Sequence, residues 1–173
     1  MVPIVDEQID VAAAYAAHRQ SLFRLAVMLV DDAASAEDVV QDAFLGLHQK
    51  ASGLRSPEAV YGYLRTAVLN NARSTLRRRG TVRRHLPGLA ALRSGSVADE
   101  PADFRLLLAA EQGRVIDAVR TLPAKQREVV VLRYWAQLSQ EEIATALSIS
   151  RSTVASQTTR ALRTLARILE ESS

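Results

Sequence analysis

Arg151, Ser152, Thr153, Ala155, Ser156 and Thr159, followed by Arg160, Arg163 and Arg167, bring hydroxyls and guanidinium groups together over seventeen residues. Ser152, Ser156, Thr159 and Arg163 step by four, three and four, so a helix would carry them on one side. Short polar side chains and an arginine at the start of a helix suit the edges of base pairs in a major groove. The arginines further along suit phosphate oxygens. Between Ile143 and Leu169 there are four arginines and no acid, the charge that lets a helix lie against a polyanion.

The elements that must hold this face are legible on either side of it. Ser139 followed by Glu142 is a capping-box signature for a helix over Glu141 to Leu147, with Ile143, Ala144 and Leu147 on its apolar side. Ser148-Ile149-Ser150 interrupts it with poor helix formers, and Ser150 can cap a second helix. Val154, Thr158, Ala161, Leu165 and Ile168 step by four, three, four and three along that helix and form its inner stripe. Two short helices joined by a tight turn read as a helix-turn-helix. A plain amphipathic helix pair inside a helical domain would share the spacing but has no need of the acid-free arginine run.

Upstream, the charge is divided into blocks. The chain has 173 residues and a net charge of +3, yet residues 1 to 58 hold four basic and nine acidic side chains, and residues 59 to 98 hold eight arginines and no acid. Residues 99 to 173 hold ten of each. With 48% apolar residues the chain can bury one core or two small ones. No apolar run approaches membrane-spanning length and the start lacks a secretory pattern, so no membrane insertion and a cytoplasmic location are expected. The absence of cysteine excludes disulfides and thiolate metal sites.

Val11, Tyr15, His18, Leu22, Leu25 and Leu29 mark a first helix, which Asp31-Asp32 ends. Ser35 with Asp38 reads as the cap of a second helix, running to about Lys50. Its packing arc is Val39, Val40, Ala43, Phe44 and Leu47; the opposite arc holds Glu37, Asp38, Gln41, Asp42 and Gln49, with Leu45 alone among the acids. That arc is either a solvated face or a binding surface with an apolar centre. After a loop over Ala51 to Ser56, Ser56-Pro57-Glu58 starts a third helix reaching about Arg79. Val60, Tyr63, Leu64, Ala67, Val68 and Asn71 form its inner arc, and Thr66, Asn70, Arg73 and Arg77 an outer stripe with the chemistry of a nucleic-acid contact. Tyr61, at the loop end, is placed to stack on an unpaired base. From Gly80 to Pro101 periodicity is lost among three glycines and two prolines, a flexible linker. Helical pattern resumes near Phe104, stops at Leu122-Pro123 and restarts through Arg127 to Trp135. The fold class is therefore all-α: two small helical domains, 1–79 and 102–173, joined by a flexible linker over 80–101, the second containing the helix-turn-helix.

Three stretches together resemble a known family. DDAASAEDVVQDAF from Asp31, YLRTAVLN from Tyr63, and LPAKQREVVVLRY from Leu122 with LSQEEIA and SRSTV after it are similar to bacterial RNA polymerase sigma factors of the sigma-70 family, extracytoplasmic-function group. The resemblance implies an alternative sigma factor that binds core RNA polymerase and directs initiation at promoters. Glu37, Asp38, Gln41, Asp42 and Leu45 would face the polymerase. Arg55, Ser56, Tyr61, Thr66, Asn70, Arg73 and Arg77 would engage the minus-10 element, the loop reading a flipped base and Asn70 with Arg73 holding the opened strand. Arg151, Ser152, Thr153, Ala155, Ser156, Thr159, Arg160 and Arg163 would engage the minus-35 element. An anti-sigma factor is a further partner by family habit, and the linker is too short for the domain that reads an extended minus-10 element in larger sigma factors.

Some positions depart from the family pattern. Ser148 stands where glycine is common, Ala155 and Gln157 where basic residues often occur, Tyr63 for a frequent tryptophan and Ser74 for an aspartate. Promoter affinity then leans on Arg151, Arg160 and Arg163. No phosphate-binding glycine loop, nucleophile motif or metal-ligand spacing is present, so no catalytic role, metal or cofactor is expected. The competing reading is a helix-turn-helix regulator that binds duplex DNA without polymerase.

Overall fold

The computed structural model describes residues 9–50, 53–54, 56–85 and 112–171, and among these the chain forms helices and no strand. In chain order they are α1 (Val11–Leu29), α2 (Ala33–Lys50), α3 (Pro57–His85), α4 (Gln112–Thr121), α5 (Ala124–Tyr134), α6 (Gln140–Leu147) and α7 (Arg151–Glu171). Helices α1 to α3 pack on one another as one bundle, and α7 packs on α4, α5 and α6 as a second.

Asp10 starts α1 by accepting the Ala13 amide at 3.0 Å. On its expected stripe Leu22, Leu25 and Leu29 are buried, whereas Tyr15 is exposed and sets its ring edge against Phe44 of α2 at 4.9 Å. The end of the helix is buried on every side, because Phe23, Ala26, Val27, Met28 and Val30 are covered as well. A helix that is apolar all round must be enclosed. The enclosure comes from the second bundle, since α1 also packs on α4 and α5.

In α2 the expected packing arc Val39, Val40, Ala43, Phe44 and Leu47 is buried throughout. Each large apolar side chain buried this way contributes about 1.5–3 kcal/mol. The cap, however, is Asp32 rather than Ser35. Its carboxylate accepts the Ser35 amide at 2.8 Å and the Ser35 hydroxyl at 3.0 Å, so the helix starts two residues before Ser35. Burial works to raise the Asp32 carboxyl, but the Ser35 amide and the Arg79 guanidinium outweigh it and hold the group below its usual range. Arg79 lies 2.6 Å from Asp32 and also donates to the Ser35 hydroxyl, which fastens the start of α2 to the far part of α3.

Ser56 caps α3 by accepting the Ala59 amide at 3.1 Å, as its sequence predicts. Val60, Leu64 and Val68 are buried, and Asn71 donates from Nδ2 to the Val39 carbonyl at 3.2 Å. Tyr63 reaches over α2 at Gly46, where an added Cβ would stand 2.7 Å from the tyrosine hydroxyl. A larger residue there would make the far end of the tyrosine shift. The helix does not stop at Arg79 but continues to His85. One glycine costs a helix only about 1 kcal/mol, so Gly80 need not end it. The remainder of the expected linker, 86–101, and Phe104, Leu107 and Ala110 lie outside the described residues.

The helix-turn-helix forms as expected. The Ser139 hydroxyl accepts the Glu142 amide at 3.2 Å while Glu142 accepts the Ser139 amide at 2.7 Å. The Ser139 amide first, and then the Ser139 hydroxyl, hold the Glu142 carboxyl below its usual range. Ser150 caps α7 through the Thr153 amide at 3.1 Å. Ser148 adopts the left-handed conformation, φ 54°, that a glycine would take more easily, and so does Gln137 at the other end of α6. Each costs about 1–2 kcal/mol.

Candidate nucleic-acid interface

The two sets of candidate DNA residues stand in different surroundings. On α7, Arg151, Ser152, Ala155, Ser156, Thr159, Arg160 and Arg163 are all exposed and share one face, with Val154, Ala161 and Leu165 buried behind them. Thr153 is set back: it is half-buried and its hydroxyl lies 2.7 Å from that of Ser150. A connection that the periodicity could not reveal locks the motif across its turn, where Gln140 of α6 donates from Nε2 to the Arg151 carbonyl at 3.2 Å. The first turn of α7 holds no acid, so Arg151 sits against the positive end of the helix dipole and gains nothing from its own helix.

On α3, Thr66, Asn70 and Arg77 are exposed, but only Arg77 is clear of the second bundle's cleft. Thr66 and Asn70, with Arg65 and Leu69, line one wall of a cleft of about 410 Å³; Leu132, Leu138, Glu141, Glu142, Thr145 and Ala146 line the rest. Arg73 forms a two-pronged ion pair with Glu128 of α5, Nε to Oε1 at 2.7 Å and Nη2 to Oε2 at 3.2 Å. Tyr61 is half-buried, its ring 4.9 Å from that of His18 and its face 5.6 Å from the Arg65 guanidinium. Ser56 caps the helix, and Arg55 lies outside the described residues.

The acidic arc of α2 is open. Asp38, Gln41 and Asp42 are exposed, Glu37 is half-buried and 3.9 Å from Arg19, and Leu45 is 61% exposed. A leucine so exposed, on a helix whose packing arc is full, has no part in this fold's core.

Sequence reasoning missed the groups that join the bundles. Arg127 of α5 pairs with Asp31 at 3.3 Å, Arg120 of α4 donates to the Val27 carbonyl at 3.3 Å, and Leu69 and Ala72 of α3 are buried next to the arginine stripe. The signal was present in Leu25 to Val30, six apolar residues in succession on a helix already facing two neighbours.

The family model for Sigma-70 region 2 matches residues 14–82, and that for Sigma-70, region 4 matches residues 112–165. The RNA polymerase sigma-E factor of Streptomyces avermitilis is 33% identical over 152 residues, covering 88% of this chain and 80% of that protein. The ECF RNA polymerase sigma factor SigM of Mycobacterium tuberculosis is 32% identical over 152 residues, covering 88% and 73%. Among solved structures, the sigma factor RpoE in complex with the anti-sigma factor NepR from Bartonella quintana aligns with a TM-score of 0.73 and 25% identity, over 93% of this chain and 97% of that one. CnrH in complex with the cytosolic domain of CnrY aligns with a TM-score of 0.63 at 24% identity, a likeness of fold, over 94% and 89%.

Proposed function

Because the chain belongs to the sigma-70 family of RNA polymerase sigma factors, in its extracytoplasmic-function group, we propose that its two bundles divide one promoter between them, α3 taking the minus-10 strand and α7 the minus-35 duplex. The chain is an alternative sigma factor; core RNA polymerase and promoter DNA are its partners, and an anti-sigma factor completes the set. The exposed polar face of α7 on a capped helix-turn-helix carries the reading for the minus-35 element. Arg151 reads a base edge, with Ser152, Ser156 and Thr159 beside it, and Arg160 and Arg163 hold phosphates. Thr66, Asn70, Arg73 and Arg77 hold the opened minus-10 strand, Tyr61 stacks on one of its bases, and Arg55 and Ser56 engage a base flipped from it. Leu45, ringed by Asp38, Gln41 and Asp42, docks on the polymerase.

The working units are 1–79 and 102–173 with 80–101 between them, adjusted by the extension of α3 to His85. The chain contributes recognition and no catalysis of its own, and it acts in the cytoplasm, where polymerase is. No helix among the described residues is long and apolar enough to cross a membrane.

Photocrosslinking in the polymerase-bound state tests the division of labour. A crosslinking residue at Asn70 is expected to mark only the single-stranded minus-10 segment, and one at Ser156 only the minus-35 duplex. Both positions marking the same duplex segment would contradict it.

A further inference from the structure

The first turn of α7 carries Arg151 but has little packing of its own. Arg151 and Ser152 are exposed, Thr153 is half-buried, and the first buried residue of the helix is Val154. The turn that leads in, Ser148 to Ser150, holds Ser148 in the left-handed conformation, which a side chain resists. The Ser150 hydroxyl accepts the Thr153 amide and lies 2.9 Å from the Ser152 hydroxyl and 2.7 Å from that of Thr153. These hydroxyls fasten the first turn to its own cap and leave its placement against α6 to another group.

That group is Gln140. Its Nε2 donates to the Arg151 carbonyl at 3.2 Å, and among the described residues no other side chain of α6 hydrogen-bonds α7. Gln140 is itself well fixed, because it is the first residue of α6 and stands inside the capping box of Ser139 and Glu142. One residue before that box, the buried Leu138 accepts from Nη1 of Arg133 of α5 at 3.0 Å. A run of bonds therefore leads from α5 through the start of α6 to the backbone of the residue that opens the recognition helix. The carbonyl on which it ends has a lone pair to give Gln140, since the other serves the helix.

We infer, on the reading of Arg151 as a base contact, that Gln140 is a positioning residue for that contact: it sets discrimination at the minus-35 element through the backbone of Arg151 and not by touching a base. A bidentate arginine-base pair needs both of its bonds in line, so it is sensitive to the placement of the backbone that carries the arginine. Duplex lying over the motif also removes water from the bond between Gln140 and the carbonyl, which strengthens it in the bound state.

Competition binding of the polymerase-bound chain to matched and scrambled minus-35 duplexes tests this. Gln140→Met keeps the length of the side chain and removes the donor. It is expected to lower the matched-to-scrambled ratio about 5-fold, the contribution of one hydrogen bond, and to leave scrambled-duplex affinity within about 2-fold. Gln140→Lys returns a donor of similar reach and should restore the ratio, whatever its charge does to both duplexes alike. In an Arg151→Ala background, Gln140→Met should lower the ratio no further, as for two residues acting through one contact. An unchanged ratio in Gln140→Met, an equal loss on both duplexes, a ratio no higher in Gln140→Lys, or a further 5-fold loss in the Arg151→Ala background each overturns the role of Gln140. Arg151→Ala alone judges the base contact: a fall in the ratio upholds it whatever Gln140 does, and an unchanged ratio removes the contact and the role of Gln140 with it.

Discussion

Leu45→Glu abolishes capture of core RNA polymerase and leaves thermal unfolding of the chain where it was. The packing arc of α2 is filled by Val39, Val40, Ala43, Phe44 and Leu47, all buried, while Leu45 is 61% exposed on the other side. Changing it removes nothing from the core, and a surface substitution of this kind stays within about 0.5 kcal/mol of stability. A partner experiences the change differently. An apolar anchor inside a polar rim is the usual centre of interface energy, and truncating one costs about 2 kcal/mol or more. A carboxylate driven into the same desolvated spot adds the cost of an unpaired charge, several kcal/mol. Together these weaken binding by roughly 100-fold or more, at about 1.4 kcal/mol per tenfold. Circular dichroism with thermal melting, run beside a polymerase pull-down, separates the outcomes. A variant that melts normally and still binds takes Leu45 out of the interface, and one that unfolds means the faces of α2 are assigned wrongly.

Arg151→Ala is expected to lower discrimination between the correct and a scrambled minus-35 element by about 1–3 kcal/mol, the contribution of one bidentate arginine-base contact. Polymerase binding should not change, because Arg151 opens α7 and Leu45 lies on α2 in the other bundle. Nor should the fold suffer. Arg151 is exposed, and its charge faces the positive end of its own helix dipole, a repulsion of about 0.3–1 kcal/mol that alanine relieves. The free variant therefore melts at the same temperature or slightly higher. Competition binding of the polymerase-bound chain to matched and scrambled duplexes gives the ratio. Equal losses on both would make Arg151 a phosphate contact and move the reading of bases to Ser152, Ser156 and Thr159.

The features legible in the sequence are those that local spacing or local chemistry determines. The two arcs of α2 follow from a 3.6-residue period, and Ser139 with Glu142, Ser150, and Ser56 before Pro57 each satisfy amides within the next three residues. The polar face of α7 between Arg151 and Arg163 is exposed for a related reason: a helix with one apolar stripe puts its polar residues outward. Relations between elements were not legible. The start of α2 depends on Asp32, whose value as a cap is joined to Arg79, 47 residues away. The outer stripe of α3 reads as solvated until Glu128, 55 residues on, is found on Arg73. The charge blocks read from the sequence do not by themselves say which partner each residue takes. Asp31 does meet an arginine, but from α5, and the stripe's own Arg73 meets an acid of the second bundle. Which charges meet is settled by the apolar seam of Leu29, Leu69 and Ala72, and only the packed structure shows that seam.

Together with polymerase, this chain starts transcription at promoters that polymerase would otherwise ignore. Purified chain, core RNA polymerase and a set of promoter fragments, with nucleotides, test it through the transcripts they yield. The expected result is new transcripts with fixed starts, which appear only when chain and polymerase are both present and which vanish when either the minus-35 or the minus-10 segment is scrambled. Duplex binding by the chain alone, with no transcript above that of core polymerase under any condition, would contradict the claim and leave a helix-turn-helix regulator in its place.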